Sequence, residues 1–250
     1  MAYNSRGNAY YYRGQNDKAI EDYNRAIEIN PKFDMAYNNR GLAYDHKGQY
    51  DRAIEDYNRA IGINPQYTDA CNNRGLAYYN KGQHGKALED YNLAIGINPK
   101  YARAYSNRGL IFQDKGQYDR ASEDYNKAIE LDPKDAMAYY NRGNTYSLKG
   151  HYDKAFEDYN RAIEINPKDA IAYYNRGLAY LKKEQYDRAI GDYNRAIEIN
   201  PILADAYTNR GIAYYFKGQY DKAIDDLQKA CGMGYENGCK GLQMVLQERK

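Results

Sequence analysis

Apolar residues return along this chain in pairs of helical runs, and the pairs themselves repeat. In residues 34–67 the first run covers Ala36–Lys47 and the second Asp51–Ile63, with the polar break KGQY between them. Each run carries apolar side chains three and four residues apart, the spacing of an amphipathic helix. The Gly of KGQY predicts the end of the first helix, because a left-handed cap is cheapest for a residue without Cβ. Asn-Pro or Asp-Pro predicts the end of the second. Proline cannot donate the next helical hydrogen bond, and the residue before it avoids the helical region. Each unit is therefore a predicted helical hairpin.

The six prolines, Pro31, Pro65, Pro99, Pro133, Pro167 and Pro201, stand 34 residues apart. Gly7, Gly41, Gly75, Gly109, Gly143, Gly177 and Gly211 keep that period, as do Ala19 to Ala223 and Tyr23 to Tyr193, with Leu227 closing the last series. Self-similarity at this period predicts an array of stacked supersecondary units. The spacing Tyr37, Gly41, Tyr44, Ala53, Tyr57, Ala60, Pro65 resembles the tetratricopeptide repeat signature, with Tyr where that family often has Trp or Phe. The resemblance implies an all-α solenoid, a right-handed superhelix of seven hairpins whose first helices line a concave groove used for protein or peptide partners. The expected units are 1–33, 34–67, 68–101, 102–135, 136–169, 170–203 and 204–237, followed by a capping helix over 238–250. The chain opens two residues into its first unit, as a segment of a longer array would.

Composition narrows the function classes. Lys plus Arg number 36 and Asp plus Glu 34, interspersed, for a net charge of +2. No basic stripe marks a nucleic-acid or anionic-membrane binder. No apolar run approaches the roughly 20 residues needed to cross a bilayer, and no charged-then-apolar leader precedes the first repeat. Compartment stays open.

The polar residues sort by helical face. Counting from the third residue after each Pro, so that Asp34 is position one, Tyr at four, Gly at eight and Tyr at eleven share a packing face. Arg at seven (Arg6, Arg40, Arg74, Arg108, Arg142, Arg176 and Arg210) falls at its edge, where the family commonly has Leu. A half-buried guanidinium needs a partner. The second helices offer Asp22, Asp56, Asp90, Asp124, Asp158, Asp192 and Asp226 with the same regularity, so these arginines are expected to link helices rather than to grip an anionic ligand.

Asn at position six lies about 200° from the packing Tyr, among positions two, five, nine, twelve and thirteen. Family geometry directs that stripe into the groove. Asn39, Asn73, Asn107, Asn141, Asn175 and Asn209 then form a ladder able to pair with the N–H and C=O of an extended peptide, or alternatively with one another and with neighbouring helices. Along the stripe the first repeats are polar or mixed. Units five to seven place Met137, Tyr140, Leu148, Ile171, Tyr174, Leu178, Leu181, Ile212, Tyr215 and Phe216 there. An exposed apolar patch of this kind marks a partner site; the competing reading packs these residues against adjacent helices. The family's two-carboxylate clamp is disfavoured. Asn8 and Asn39 match it, but Asn4, Asp69 and Asn73 stand where its cations belong, and Tyr140, Asn144, Asn175, Asp205 and Asn209 fail the same test.

His46, His84 and His151 occupy three different repeat positions with no second ligand at metal spacing, and Cys71 replaces a packing Tyr as a small core residue. Cys231 and Cys239, in ACGMGYENGC, have the C-x7-C spacing of the disulfide-linked Sel1-like repeats they resemble. A bridge there would point to an oxidising, periplasmic or secreted setting; two free thiols fit a cytoplasmic one. The tail LQMVLQERK sets Leu242, Val245 and Leu246 on one face, as a capping helix requires. No nucleophile–base pair, phosphate loop, cofactor motif or metal constellation is present. The leading expectation is thus a non-catalytic scaffold that binds a protein or peptide segment through the Asn ladder and the apolar stripe, without cofactor, nucleic acid or membrane insertion. The alternative is a self-assembling homo-oligomer that docks through its first repeat.

Overall fold

A computed structural model describes residues 1–248, and among them every regular element is an α-helix. The chain forms two compact bodies, Met1–Asp132 and Pro133–Lys250. The first contains α1 (Ala2–Tyr12), α2 (Asn16–Ile29), α3 (Asp34–His46), α4 (Tyr50–Ile63), α5 (Thr68–Asn80), α6 (His84–Ile97), α7 (Ala102–Asp114) and α8 (Tyr118–Leu131). The second contains α9 (Ala136–Leu148), α10 (Tyr152–Ile165), α11 (Ala170–Lys182), α12 (Tyr186–Ile199), α13 (Ala204–Phe216), α14 (Tyr220–Gly232) and α15 (Glu236–Glu248). Within each body successive helices pair as hairpins, and each second helix also packs on the first helix of the next hairpin. This is an all-α solenoid.

The helix ends follow the sequence chemistry. Gly48 sits at φ +69° after α3, and Gly14, Gly82, Gly116, Gly150 and Gly218 take the same left-handed conformation. Where KGQY becomes KEQY, Glu184 adopts φ +58° at the equivalent turn. At the other end of the hairpin the Asn before Pro closes a local turn. Asn30 and Asn98 each accept a hydrogen bond at 3.0 Å from the backbone N–H two residues on, the usual reason Asn marks turns.

In the first six repeats the core is one buried tyrosine of the second helix facing a glycine of the first, and in the seventh Leu227 faces Gly211. Tyr23, Tyr57, Tyr91, Tyr125, Tyr159 and Tyr193 are at most 1% exposed. A Cβ on Gly41 would stand 2.7 Å from Tyr57 Cε1, and the same crowding recurs at Gly7, Gly75, Gly109 and Gly177. Glycine is therefore required by the ring lying across it. Alanines at the neighbouring second-helix positions (Ala53 and Ala60, both 0% exposed) bring the helices close.

The repeated arginines tie this packing together. Arg40 donates from Nε and Nη2 to the two carboxylate oxygens of Asp56, at 2.8 and 2.6 Å. Its remaining Nη1 donates at 2.6 Å to Asn24 of the preceding hairpin. Arg74, Arg108, Arg176 and Arg210 repeat both contacts, with Asn58, Asn92, Asn160 and Asn194 as the second partner. Arg142 pairs likewise with Asp158. The position-four tyrosine lies under the guanidinium, Tyr37 at 5.5 Å from Arg40. Burial raises the Asp56 carboxyl, while the Arg40 hydrogen bonds and charge oppose that rise. Arg40, Arg74, Arg108, Arg176 and Arg210 thus each hold their own hairpin closed and staple it to the one before.

At the far end α15 occupies the place of a further first helix, packed on α14 and α13. Met244 and Val245 stand 34 residues after Arg210 and Gly211, so the stapling Arg and the ring-accepting Gly are both replaced. Val245 is buried and Leu242 half-buried, whereas Leu246 is exposed, so the apolar face read from the tail is narrower than expected. Cys231 and Cys239 are joined as a disulfide with Cα atoms 4.6 Å apart, fastening the end of α14 to the first turn of α15. Arg249 and Lys250 of the expected cap lie outside the described residues.

Candidate functional site

The first helices of neighbouring hairpins touch directly, α1 with α3, α3 with α5 and α5 with α7 in one body, and α9 with α11 and α11 with α13 in the other. Their common face carries the asparagines at position six. Asn39 donates from Nδ2 to Asn4 and Asn8 at 3.2 and 3.0 Å. Asn73 donates to Asn38 at 3.1 Å, and Asn107 to Asn72 at 2.9 Å. In the second body the acceptors change: Asn175 donates to the Tyr140 hydroxyl at 2.7 Å and Asn209 to that of Tyr174 at 2.9 Å. Position six of one repeat is thus bound to position five of the repeat before. The Oδ1 atoms of Asn73, Asn107, Asn175 and Asn209 accept no hydrogen bond among the described residues, so each keeps an open acceptor on the first-helix face of its own body. Asn141 is half-buried.

The apolar residues of α9, α11 and α13 divide into two groups. Tyr140 and Tyr174 are half-buried, hold the Asn hydroxyl contacts just described, and set their rings 6.4 and 6.0 Å from Tyr159 and Tyr193. Burial raises both phenols, Tyr174 to about 12. Leu181 packs on the core, and Leu178 and Ile212 are half-buried. Tyr215 donates to Glu248 and lies edge-on to Phe216. What remains open is Met137 at 57%, Leu148 at 58%, Ile171 at 41% and Phe216 at 57% exposure. Met137 and Ile171 hold the same position in adjacent repeats, and Phe216 stacks on Tyr186 at 5.4 Å.

Surface hollows lie elsewhere. One of about 410 Å³ is lined by Glu184, Gln185, Tyr186, Asp187, Arg188 and Lys217. Another, of about 440 Å³, is lined by Tyr3, Arg6, Glu21, Asp22, Asn24, Arg25 and Glu28. Neither borders the Asn row. His46 is exposed, with Nε2 2.9 Å from the Tyr11 hydroxyl, and His151 is exposed. Among the described residues no cluster of His, Cys, Asp or Glu could hold a metal ion, and no helix is long and apolar enough to cross a membrane.

The TPR repeat profile matches residues 7–45, 75–116, 111–150 and 143–184, and the tetratricopeptide repeat profile matches 35–67, 170–202 and 204–231. The chain belongs to the tetratricopeptide repeat family. Among solved structures its fold is similar to a tetratricopeptide repeat protein from Parabacteroides merdae (24% identity, TM-score 0.70, 98% of each chain covered). It is also similar to YrrB, described as a TPR protein with an unusual peptide-binding site (24% identity, TM-score 0.57, 74% of this chain and 95% of that one). A third similar structure is MamA (28% identity, TM-score 0.56, 66% and 96%). No curated protein matches the chain.

Within this TPR array two features escaped the sequence reading. The asparagines that receive Arg Nη1, Asn24 and its equivalents, recur in the motif Asp-Tyr-Asn, and that recurrence was the available signal. The other is Asp45. Its Oδ1 is buried without a hydrogen-bond partner, and so is the hydroxyl of Tyr57. Burial raises the Asp45 carboxyl, an effect that the neighbouring His46 charge opposes.

Proposed function

We propose that this TPR chain is a non-catalytic scaffold that binds an extended segment of another protein along its first-helix face. Family membership supports the general reading, a scaffold for protein partners. The observation that carries the finer one is the pairing of open carboxamide oxygens with exposed apolar side chains on α9, α11 and α13. Asn175 and Asn209 are locked in place by Tyr140 and Tyr174, so each Oδ1 is held ready to accept a backbone N–H without cost in side-chain freedom. Met137 and Ile171 beside them offer apolar area to the partner's side chains. The carboxamides provide register independent of sequence; the apolar residues provide affinity.

Peptide-display panning on the wild-type chain and on Asn175→Ala/Asn209→Ala and Met137→Asn/Ile171→Asn variants tests this. Enrichment on wild type that falls on both variants is expected. Equal enrichment on all three chains would remove this face as the site.

A further inference from the structure

The first body carries a charge that its own fold leaves uncompensated. Asp45 lies at position twelve of α3, where the other repeats have Tyr11, Tyr79, Gln113, Ser147, Leu181 and Tyr215, none of them charged at neutral pH. It is half-buried, and its Oδ1 is sealed from solvent without a partner. The other aspartates beside it in the repeat pattern are all answered. Asp22, Asp56, Asp90 and Asp124 have arginines, and Asp17 and Asp51 have Lys47 and Lys81. On the same face Asp69 and Asp114 accept from the Tyr101 and Tyr79 hydroxyls at 2.6 and 2.7 Å. No ion pair reaches Asp45 among the described residues.

Beneath it lies a second orphan. In the first, fourth and fifth repeats the buried second-helix tyrosine passes its hydroxyl up to position nine or twelve of its own first helix, whereas in the sixth, where those positions are Leu178 and Leu181, the Tyr193 hydroxyl has no partner. Tyr23 donates to Asn8 at 2.8 Å, Tyr159 to Asn144 at 2.7 Å and Tyr125 to Gln113 at 3.5 Å. In the second repeat those positions are Leu42 and Asp45, no bond forms, and the fully buried Tyr57 hydroxyl is left unsatisfied. A buried charge without a counter-ion and a buried hydroxyl without a partner both cost stability. A cationic group entering from the face answers the charge, since ammonium and guanidinium nitrogens donate and the half-buried carboxylate can accept. His46 does not serve, because it is exposed and engaged with Tyr11.

We propose that Asp45 seats a lysine or arginine side chain of a peptide bound on the first-helix face of residues 1–132. This rests on the peptide-binding reading above and adds a basic residue to what the partner must contain. Charge-assisted contacts of this kind set specificity more than bulk affinity.

The test uses peptides selected by display on the full wild-type chain. They are expected to share one Lys or Arg at a fixed place. A selected peptide should bind Asp45→Asn at least about tenfold more weakly, the scale of one charge-assisted hydrogen bond. Replacing its basic residue by norleucine should cost a similar factor on wild type and little further on Asp45→Asn. Selected peptides that bind Asp45→Asn and wild type equally, or that share no basic residue, would overturn the cation seat and leave the peptide-binding reading intact. No peptide enriched on wild type would overturn both.

Discussion

Replacing Asp56 by Ala strands Arg40. The Arg40 side chain is 19% exposed and that of Asp56 6%, so the pair is largely out of water. Asp56→Ala removes two charge-assisted hydrogen bonds, leaving the guanidinium only its bond to Asn24. Breaking a buried pair by deleting one partner costs about 3–5 kcal/mol. Replacing both members, as in Arg40→Leu/Asp56→Leu, restores an apolar contact where the family commonly has Leu, and its expected cost is near zero to about 1 kcal/mol. Arg6 and Asp22 form the same bidentate pair, but the Arg6 side chain is 60% exposed, so Asp22→Ala should cost clearly less than Asp56→Ala. Urea unfolding of the four full-length chains, with amide hydrogen exchange on α3 and α4 as the local probe, reads these differences. If Asp56→Ala unfolds at the same urea concentration as Asp22→Ala, or if the double variant is no better than the single, the stapling argument is wrong.

Other outcomes follow from the same geometry. Gly41→Ala should destabilise by about 1–2 kcal/mol, because overpacking against Tyr57 outweighs the helix-propensity gain. Gly62→Ala in α4, with nothing within 4 Å of its new Cβ, should stabilise by about 0.5–1 kcal/mol, and thermal melts compare the two. Glu184→Gly should stabilise by up to about 1 kcal/mol by relieving the left-handed conformation at the α11 end. Asp45→Asn should raise the melting temperature at pH 7. Burial raises the folded-state pKa of this carboxyl, so its ionisation works against folding as pH climbs through that range. The difference from wild type should vanish below the ordinary Asp pKa, where both side chains are neutral. A melting-temperature gap that persists at pH 2.5 would contradict this.

The hairpins were legible because Gly, Pro and the apolar spacing all act locally, within a turn or two of the residues they control. The Arg–Asp link was legible because opposite charges recur in step, sixteen residues apart. Its second half was not. Asn24 lies sixteen residues before Arg40, and a neutral amide gives no charge cue to mark it. The asparagines of the first helices were visible as a row, yet the N–H groups of Asn39, Asn73, Asn107, Asn175 and Asn209 are spent on position five of the previous repeat, a contact that depends on the stagger between hairpins. The same contact takes Tyr140 and Tyr174 out of the exposed stripe while leaving Met137 and Ile171 in it. Asp45 falls at position twelve, in the polar part of the stripe, with nothing in the sequence to mark it. What singles it out is a carboxylate oxygen buried without a hydrogen-bond partner, a matter of packing that residue spacing does not encode.

Hydrogen exchange on the full chain with a display-selected peptide bound tests the central claim most directly. Protection gathered on α9, α11 and α13, or on α3 and α5 for peptides seated at Asp45, is the result expected of a first-helix binding face. Protection gathered instead on the second helices α10, α12 and α14 would contradict it.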